Sequence, residues 1–133
     1  MNKNKPIILL DPYPRTMDLL FSKENLNYLK KNFKLITAPN KNKNNFYEKS
    51  LPSADYIFGQ PNLPSSLISK STKLKAIFNV ESNFMDNMDY DYCFRKGIHV
   101  LATSPVFAQP VAEMAIGLTL SIARSIHIAH SDF

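Results

Sequence analysis

Glycine is scarce in this sequence: Gly59, Gly97 and Gly117 are the only three in 133 residues. Placed so far apart, they cannot compose a G-x-G-x-x-G turn or a Walker loop. The chain therefore carries no recognisable dinucleotide or phosphate cradle, and a nucleotide cofactor would have to be bound by another segment. Cysteine is scarcer still. Cys93 stands alone, which excludes an intrachain disulfide and a thiolate cluster for a structural metal. No H-E-x-x-H, G-x-S-x-G or C-x-x-C occurs. The four aliphatics of "PIILLD" are too few for a signal-peptide core, and no apolar run reads as long enough to span a bilayer. These absences describe a soluble, cytoplasmic protein with no membrane partner. Arginine is rare too, with Arg15, Arg95 and Arg124 only. The formal charge of +5 comes from lysines diluted by asparagine, as in "NKNKNNFYEK". Since arginine is the residue expected at bidentate phosphate and guanine contacts, this reads as a solvated basic surface and not as a nucleic-acid face.

What is present is globular. Hydrophobic residues make up 44% and charged residues 20%, within the range of one folded domain. Short apolar runs alternate with amphipathic stretches. "PIILLD" (Pro6–Asp11), "KLITA" (Lys34–Ala38), "ADYIFGQ" (Ala54–Gln60), "LKAIFNV" (Leu74–Val80) and "IHVLAT" (Ile98–Thr103) read as strands. Between them, "SKENLNYLKKNF" reads as a helix with Ser22 as N-cap and Leu26, Leu29 and Phe33 at helical spacing. Residues 39–45 read as a polar, mobile loop, and "LPSSLISK" as a short helix with Pro64 in its first turn. "MDYDYCFRKG" reads as a helix closed by Gly97, and Pro110 is expected to open a long last helix. The alternation predicts an α/β, flavodoxin-like parallel sheet of about five strands, covered on both faces. Residues 1–108 would form the lobe itself, and residues 109–133 a helical extension of the same domain.

The last helix, "VAEMAIGLTLSIAR", is apolar on nearly every side, and such a helix is expected to be buried all round. Glu113, Gly117, Ser121 and Ser125 form a narrow small-residue ridge along it, which lets another backbone approach. A single sheet can cover one side only, so the helix calls for a partner: a second copy of the chain, giving a dimer or other homo-oligomer, or a further lobe docked through residues 110–130.

In open parallel sheets, ligands sit beyond the carboxyl ends of the strands. This singles out "NVESNFMDNMD" and "ATSPVFAQP". Arg15, just after the first strand, could reach a substrate carboxylate or be ordinary surface. His99 reads as a packed or surface imidazole, His127 and His130 as complements to a helix C-terminus, and Cys93 as core.

From Leu74 to about Phe133 the order of features resembles the D-isomer-specific 2-hydroxyacid dehydrogenases. The carriers are "DNMD" (Asp86–Asp89) matching D-N-x-D, "RKGIHV" (Arg95–Val100) matching R-x-G-I-x-V, the "ATSP" turn, and "PVAEMAIGLTLSIARSI". The first seventy residues or so agree only in their strand–helix alternation. The resemblance implies the N-terminal, substrate-binding lobe of an enzyme that moves hydride between NAD or NADP and C2 of a 2-hydroxy or 2-oxo acid. The family's nucleotide-binding lobe and catalytic Arg, Glu and His are not in this sequence, so no catalytic residue is assigned and the chain alone is expected to be inactive, a truncated or partial enzyme. Most members carry A-G-x-G ahead of D-N-x-D, an anion nest for the substrate carboxylate. Here "VESNFM" stands in that place, one residue longer, with Glu81 and Asn83 where glycines are common. The resemblance assigns substrate binding to the main chain of Ser82 and Asn83 and to Glu81, whose carboxylate would repel the substrate unless it turns away. It places Ser82 and Thr103 near the nicotinamide, although either could be a turn-forming hydroxyl. The alternative is a non-catalytic flavodoxin-like module that binds a small acid or a protein.

Overall fold

The computed structural model describes residues 5–81 and 83–132. Five parallel strands form one sheet: β1 (Ile7–Asp11), β2 (Lys34–Thr37), β3 (Tyr56–Gly59), β4 (Ala76–Phe78) and β5 (His99–Leu101), in the order β2-β1-β3-β4-β5. This is the flavodoxin-like order, and it reverses direction between β1 and β3. Leu9, Ile57, Ile77 and Val100 lie side by side across four strands. Each is buried, Leu9, Ile57 and Ile77 completely. Burying an aliphatic of this size contributes roughly 1.5–3 kcal/mol, so this row fixes the register.

The helices follow from local chemistry. Ser22 Oγ accepts from Asn25 N–H at 3.2 Å and caps α2 (Lys23–Asn32), which follows the single turn α1 (Met17–Leu20). A further helix, α3 (Lys43–Ser50), occupies part of the stretch expected to be a mobile loop. Asn42, left-handed at φ 59°, turns the chain into it, a conformation asparagine tolerates. The reason lies in tertiary contact: Tyr47 is buried at the centre of the core with Leu51 of the 3-10 turn Leu51–Ser53. α4 (Ser65–Ile68) starts directly after Pro64, and α5 (Tyr90–Arg95) is capped by Asp89, whose Oδ1 accepts from Tyr92 N–H at 2.8 Å. Gly97, at φ 71°, ends that helix as expected.

The two faces of the sheet are covered unequally. One face packs against Tyr47, Leu51, Leu63, Ile68 and Cys93, all fully buried or nearly so. The other carries a row of rings, with Phe58 against Phe21 at 5.0 Å and against Phe78 at 6.3 Å. Tyr56, Phe58 and Phe78 stay half-buried, and Leu101 is exposed. Both faces are covered as expected, the second less completely: Ile8 and Leu10 on it are buried, while its edge toward β4 and β5 is open.

Residues 1–102 form one compact unit and residues 103–133 another. The second contains α6 (Ser104–Ala123) and α7 (Ile126–Asp132). α6 begins six residues before Pro110, with Pro105 in its first turn and Pro110 inside it. "TSP" offers a Pro within the first turn earlier in the chain, and that signal wins. Among the described residues, α6 is the one helix long and apolar enough to cross a bilayer, with a mean hydropathy of 1.5. This corrects the expectation that no run reaches that length, which rested on a start at Pro110. Every residue of α6 is exposed except Ser121, which is half-exposed.

Candidate functional site

The carboxyl ends of β1, β3 and β4 converge where the strand order reverses. β1 ends in Asp11, a buried carboxylate held from two sides. Lys43 Nζ donates to Oδ1 at 2.6 Å, and the Tyr47 hydroxyl donates to Oδ2 at 3.1 Å. Burial pushes the Tyr47 phenol above its ordinary pKa, and the Asp11 charge pushes it further the same way. Lys43 also lies over the Tyr13 ring, 5.8 Å from its centroid. A carboxylate so rooted anchors the start of the loop Pro12–Arg15, which closes through Arg15 N–H donating to Pro12 O at 2.8 Å.

β3 ends in Gly59, at φ 144°, where an added Cβ would stand 2.1 Å from the Asp11 carbonyl oxygen. Only glycine lets β1 and β3 approach here. The next residue, Gln60, reaches across to the loop after β4. Glu81 N–H donates to Gln60 Oε1 at 2.7 Å, and Gln60 Nε2 donates to Asn83 O at 3.1 Å. One neutral amide thus brackets residues 81–83. Sequence reasoning missed Gln60; the available signal was a polar side chain directly after the glycine that ends the strand beside β4.

Arg15 closes the third side. Its Nε donates to Glu81 Oε1 at 2.8 Å, and a second guanidinium nitrogen donates to Oε2 at 3.3 Å. The two side chains are 52% and 29% exposed, so the pair is open to solvent. The Glu81 carboxylate raises the Arg15 pKa above its ordinary value. The structure therefore brings Arg15, Glu81 and Asn83 together, and Glu81 is turned toward a cation. Ser82 lies outside the described residues. Beside this loop, Asn79 is buried at 2% exposure, with neither amide atom of its side chain partnered among the described residues. Unmade bonds of this kind cost on the order of 1–3 kcal/mol.

The D-N-x-D segment serves the loop structurally. Asn87 Nδ2 donates to Pro61 O at 2.8 Å, tying the segment to the chain after β3, while Asp89 caps α5. Tyr90 Oη accepts from Met85 N–H at 3.1 Å and lies 2.9 Å from Asn87 Oδ1.

Thr103 occupies the N-cap position of α6 without a side-chain capping bond, in the second compact unit. His99, His127 and His130 are exposed, and no group of three His, Cys, Asp or Glu able to hold a metal occurs among the described residues. Cys93 is buried, and burial pushes its thiol pKa up, the opposite of a reactive cysteine.

The glycines test the fit to a dinucleotide. Gly59 is closed against Asp11, Gly97 ends α5, and Gly117 lies within α6. None forms a turn that would admit a pyrophosphate, so the residues present do not fit the cofactor's phosphate site.

A parallel sheet in the flavodoxin-like order, with a loop held by Gln60 at its switch point, defines an α/β fold. Comparison with solved structures finds chains of similar fold. The phosphoglycerate oxidoreductase from Rhizobium etli is 39% identical, with a TM-score of 0.74 over 92% of this chain and 38% of that one. The 2-hydroxyacid dehydrogenase from Ketogulonicigenium vulgare Y25 is 21% identical, with a TM-score of 0.64 over 98% of this chain and 39% of that one. D-lactate dehydrogenase from Aquifex aeolicus, complexed with NAD and lactic acid, is 24% identical, with a TM-score of 0.52 over 86% and 33%. The last two likenesses speak for the fold alone. No family model and no curated protein matches the sequence. The solved structures that the chain matches are D-2-hydroxyacid dehydrogenases, and it spans about two fifths of the length of the Rhizobium etli and Ketogulonicigenium vulgare enzymes.

Proposed function

We propose that this chain is the substrate-binding lobe of an NAD(P)-dependent oxidoreductase that transfers hydride to or from C2 of a 2-hydroxy or 2-oxo acid. The observation that carries the reading is the loop Glu81–Asn83, bracketed by Gln60 at the switch point, where the family resemblance places the anion nest. Its part is to hold and orient the acid, whose carboxylate the resemblance assigns to the loop at Glu81–Asn83. NAD is the cofactor named for the Aquifex aeolicus enzyme; here the dinucleotide would be bound by a nucleotide-binding lobe that these residues do not supply. α6 supports that arrangement. Val111, Met114, Ile116, Leu118, Leu120 and Ile122 are each more than half exposed, and leaving such side chains in water forgoes roughly 1.5–3 kcal/mol apiece on full burial. Their cover is protein, either the nucleotide-binding lobe or a second copy docked through residues 110–130.

Titrating the ¹⁵N-labelled chain with pyruvate tests the reading. The Asn83 amide and the Gln60 side-chain amide should shift together and saturate; unmoved signals at high millimolar pyruvate would refute the assignment of the loop. Mixed with NADH and a panel of 2-oxo acids, the chain alone should show no turnover, and turnover would overturn the division of labour between lobes.

A further inference from the structure

The second face of the sheet holds a cavity of about 360 Å³, a size within the range of small-molecule sites. Side chains alternate along each strand, so the register puts Ile8 and Leu10 of β1, Tyr56 and Phe58 of β3 and Phe78 of β4 on this face together. All five line the cavity, and Phe21, Leu29 and Phe33 close it from the side of α1 and α2. The rings touch one another, Phe58 and Phe78 at 6.3 Å and Tyr56 and Phe33 at 6.2 Å, yet each stays only half-buried. Save for the Tyr56 hydroxyl, every lining side chain is apolar. A wall of rings left open in this way favours an apolar occupant.

A cation stands where the rings end. Lys75 directly precedes β4, and its Nζ lies 5.9 Å from the Tyr56 ring centroid. Its main chain is pinned, the N–H donating to Asp55 O and the O accepting from His99 N–H, both at 2.9 Å. Its Nζ makes no hydrogen bond or ion pair among the described residues. Asp55, the acid beside it, already accepts from Ile7 N–H at 2.9 Å and from Lys73 Nζ at 3.1 Å. Lys75 thus offers an uncommitted positive charge at the rim of an apolar wall, and the complement of that pair is an anionic head on an apolar tail. At ~30 Å³ for each water-sized group, the cavity has room for about twelve heavy atoms. We infer that it is a binding site for an amphiphilic monoanion, a medium-chain alkyl carboxylate whose tail lies along the rings and whose head is met by Lys75. The site shares no residue with the loop at the carboxyl edge and stands apart from the substrate reading.

The test is a titration of the ¹⁵N-labelled full chain with decanoate, octanoate and 1-decanol, following the Phe58 and Phe78 amides. Decanoate should shift both and saturate. Octanoate, two methylenes shorter, should bind about fifteenfold weaker, at about fourfold for each buried methylene. Lys75→Gln should weaken decanoate about tenfold, the scale of one charge-assisted hydrogen bond, and leave decanol unchanged. Lys75→Arg, which keeps the charge, should restore decanoate. Equal affinity of the parent and Lys75→Gln chains for decanoate overturns the inference, as does silence at Phe58 and Phe78 in millimolar decanoate. Shifts confined to α6, at Leu118 and Leu120, would mark detergent-like adsorption and overturn it as well. Shifts at Phe58 and Phe78 that follow chain concentration with no acid present would make a second copy the occupant, and the carboxylate site would fall.

Discussion

Removing one oxygen atom from the core should measure how firmly the site is rooted. Tyr47 is 1% exposed, and its hydroxyl donates to Asp11 Oδ2 at 3.1 Å. Tyr47→Phe keeps the ring, and with it the packing against Phe46 at 5.3 Å, so no cavity opens. What it takes away is a hydrogen bond to a charged group, and it leaves a buried carboxylate oxygen without that donor. Hydrogen bonds to charged groups contribute about 1.5–3 kcal/mol, which places the expected loss near 2 kcal/mol. With a urea m-value of about 2 kcal/mol/M, typical of a small domain, the unfolding midpoint should fall by about 1 M at unchanged slope. Lys43→Met should cost less, because Lys43 is 36% exposed and water can replace it. A fall in midpoint below about 0.3 M for Tyr47→Phe would refute the account of Asp11 as a carboxylate that depends on the phenol for its burial.

Two further outcomes follow from the strands. Burial pushes the Asp55 pKa up, but the Ile7 N–H at 2.9 Å, Lys73 at 3.1 Å and the charge of Lys75 outweigh it, and the carboxyl is held below its ordinary value. Its contribution to stability is therefore complete above the unfolded carboxylate range near pH 4 and is lost as pH falls through the folded value. In urea denaturation from pH 6 to pH 2, Asp55→Asn should be less stable at pH 6 and should lose less on acidification than the parent; parallel curves would contradict this. Gly59→Ala should cost more than about 4 kcal/mol, because the new methyl meets a backbone oxygen that cannot move aside and the residue sits at φ 144°. Soluble protein with a parental urea midpoint would show that the strands part easily.

Much of the fold was legible because its signals are local. Ser22 ahead of an amphipathic stretch, Gly97 after another, and five short apolar runs all correspond to observed elements. α3 was not legible, since "KNNFYEKS" has little amphipathic pattern and its buried residue, Tyr47, is fixed by a carboxylate 36 positions away. The start of α6 was misread for a different reason: two prolines compete for the first turn, and Pro110 resembles a beginning until Pro105 is seen to be one. At the site, the sequence singled out Arg15 and Glu81 separately, one as a possible ligand for the substrate and the other as a source of repulsion. Their pairing spans 66 positions, and only the parallel order of β1, β3 and β4 brings the two loops together. Gln60 escaped notice because nothing in a lone glutamine announces that both ends of its amide will be used.

Gln60 carries no charge, and that sets the loop it brackets apart from the ion pair beside it. Added electrolyte screens Arg15 and Glu81 from each other but has little purchase on an amide hydrogen-bonded at both ends. Ionic strength is therefore a dial that turns one component of the edge while the other stays put.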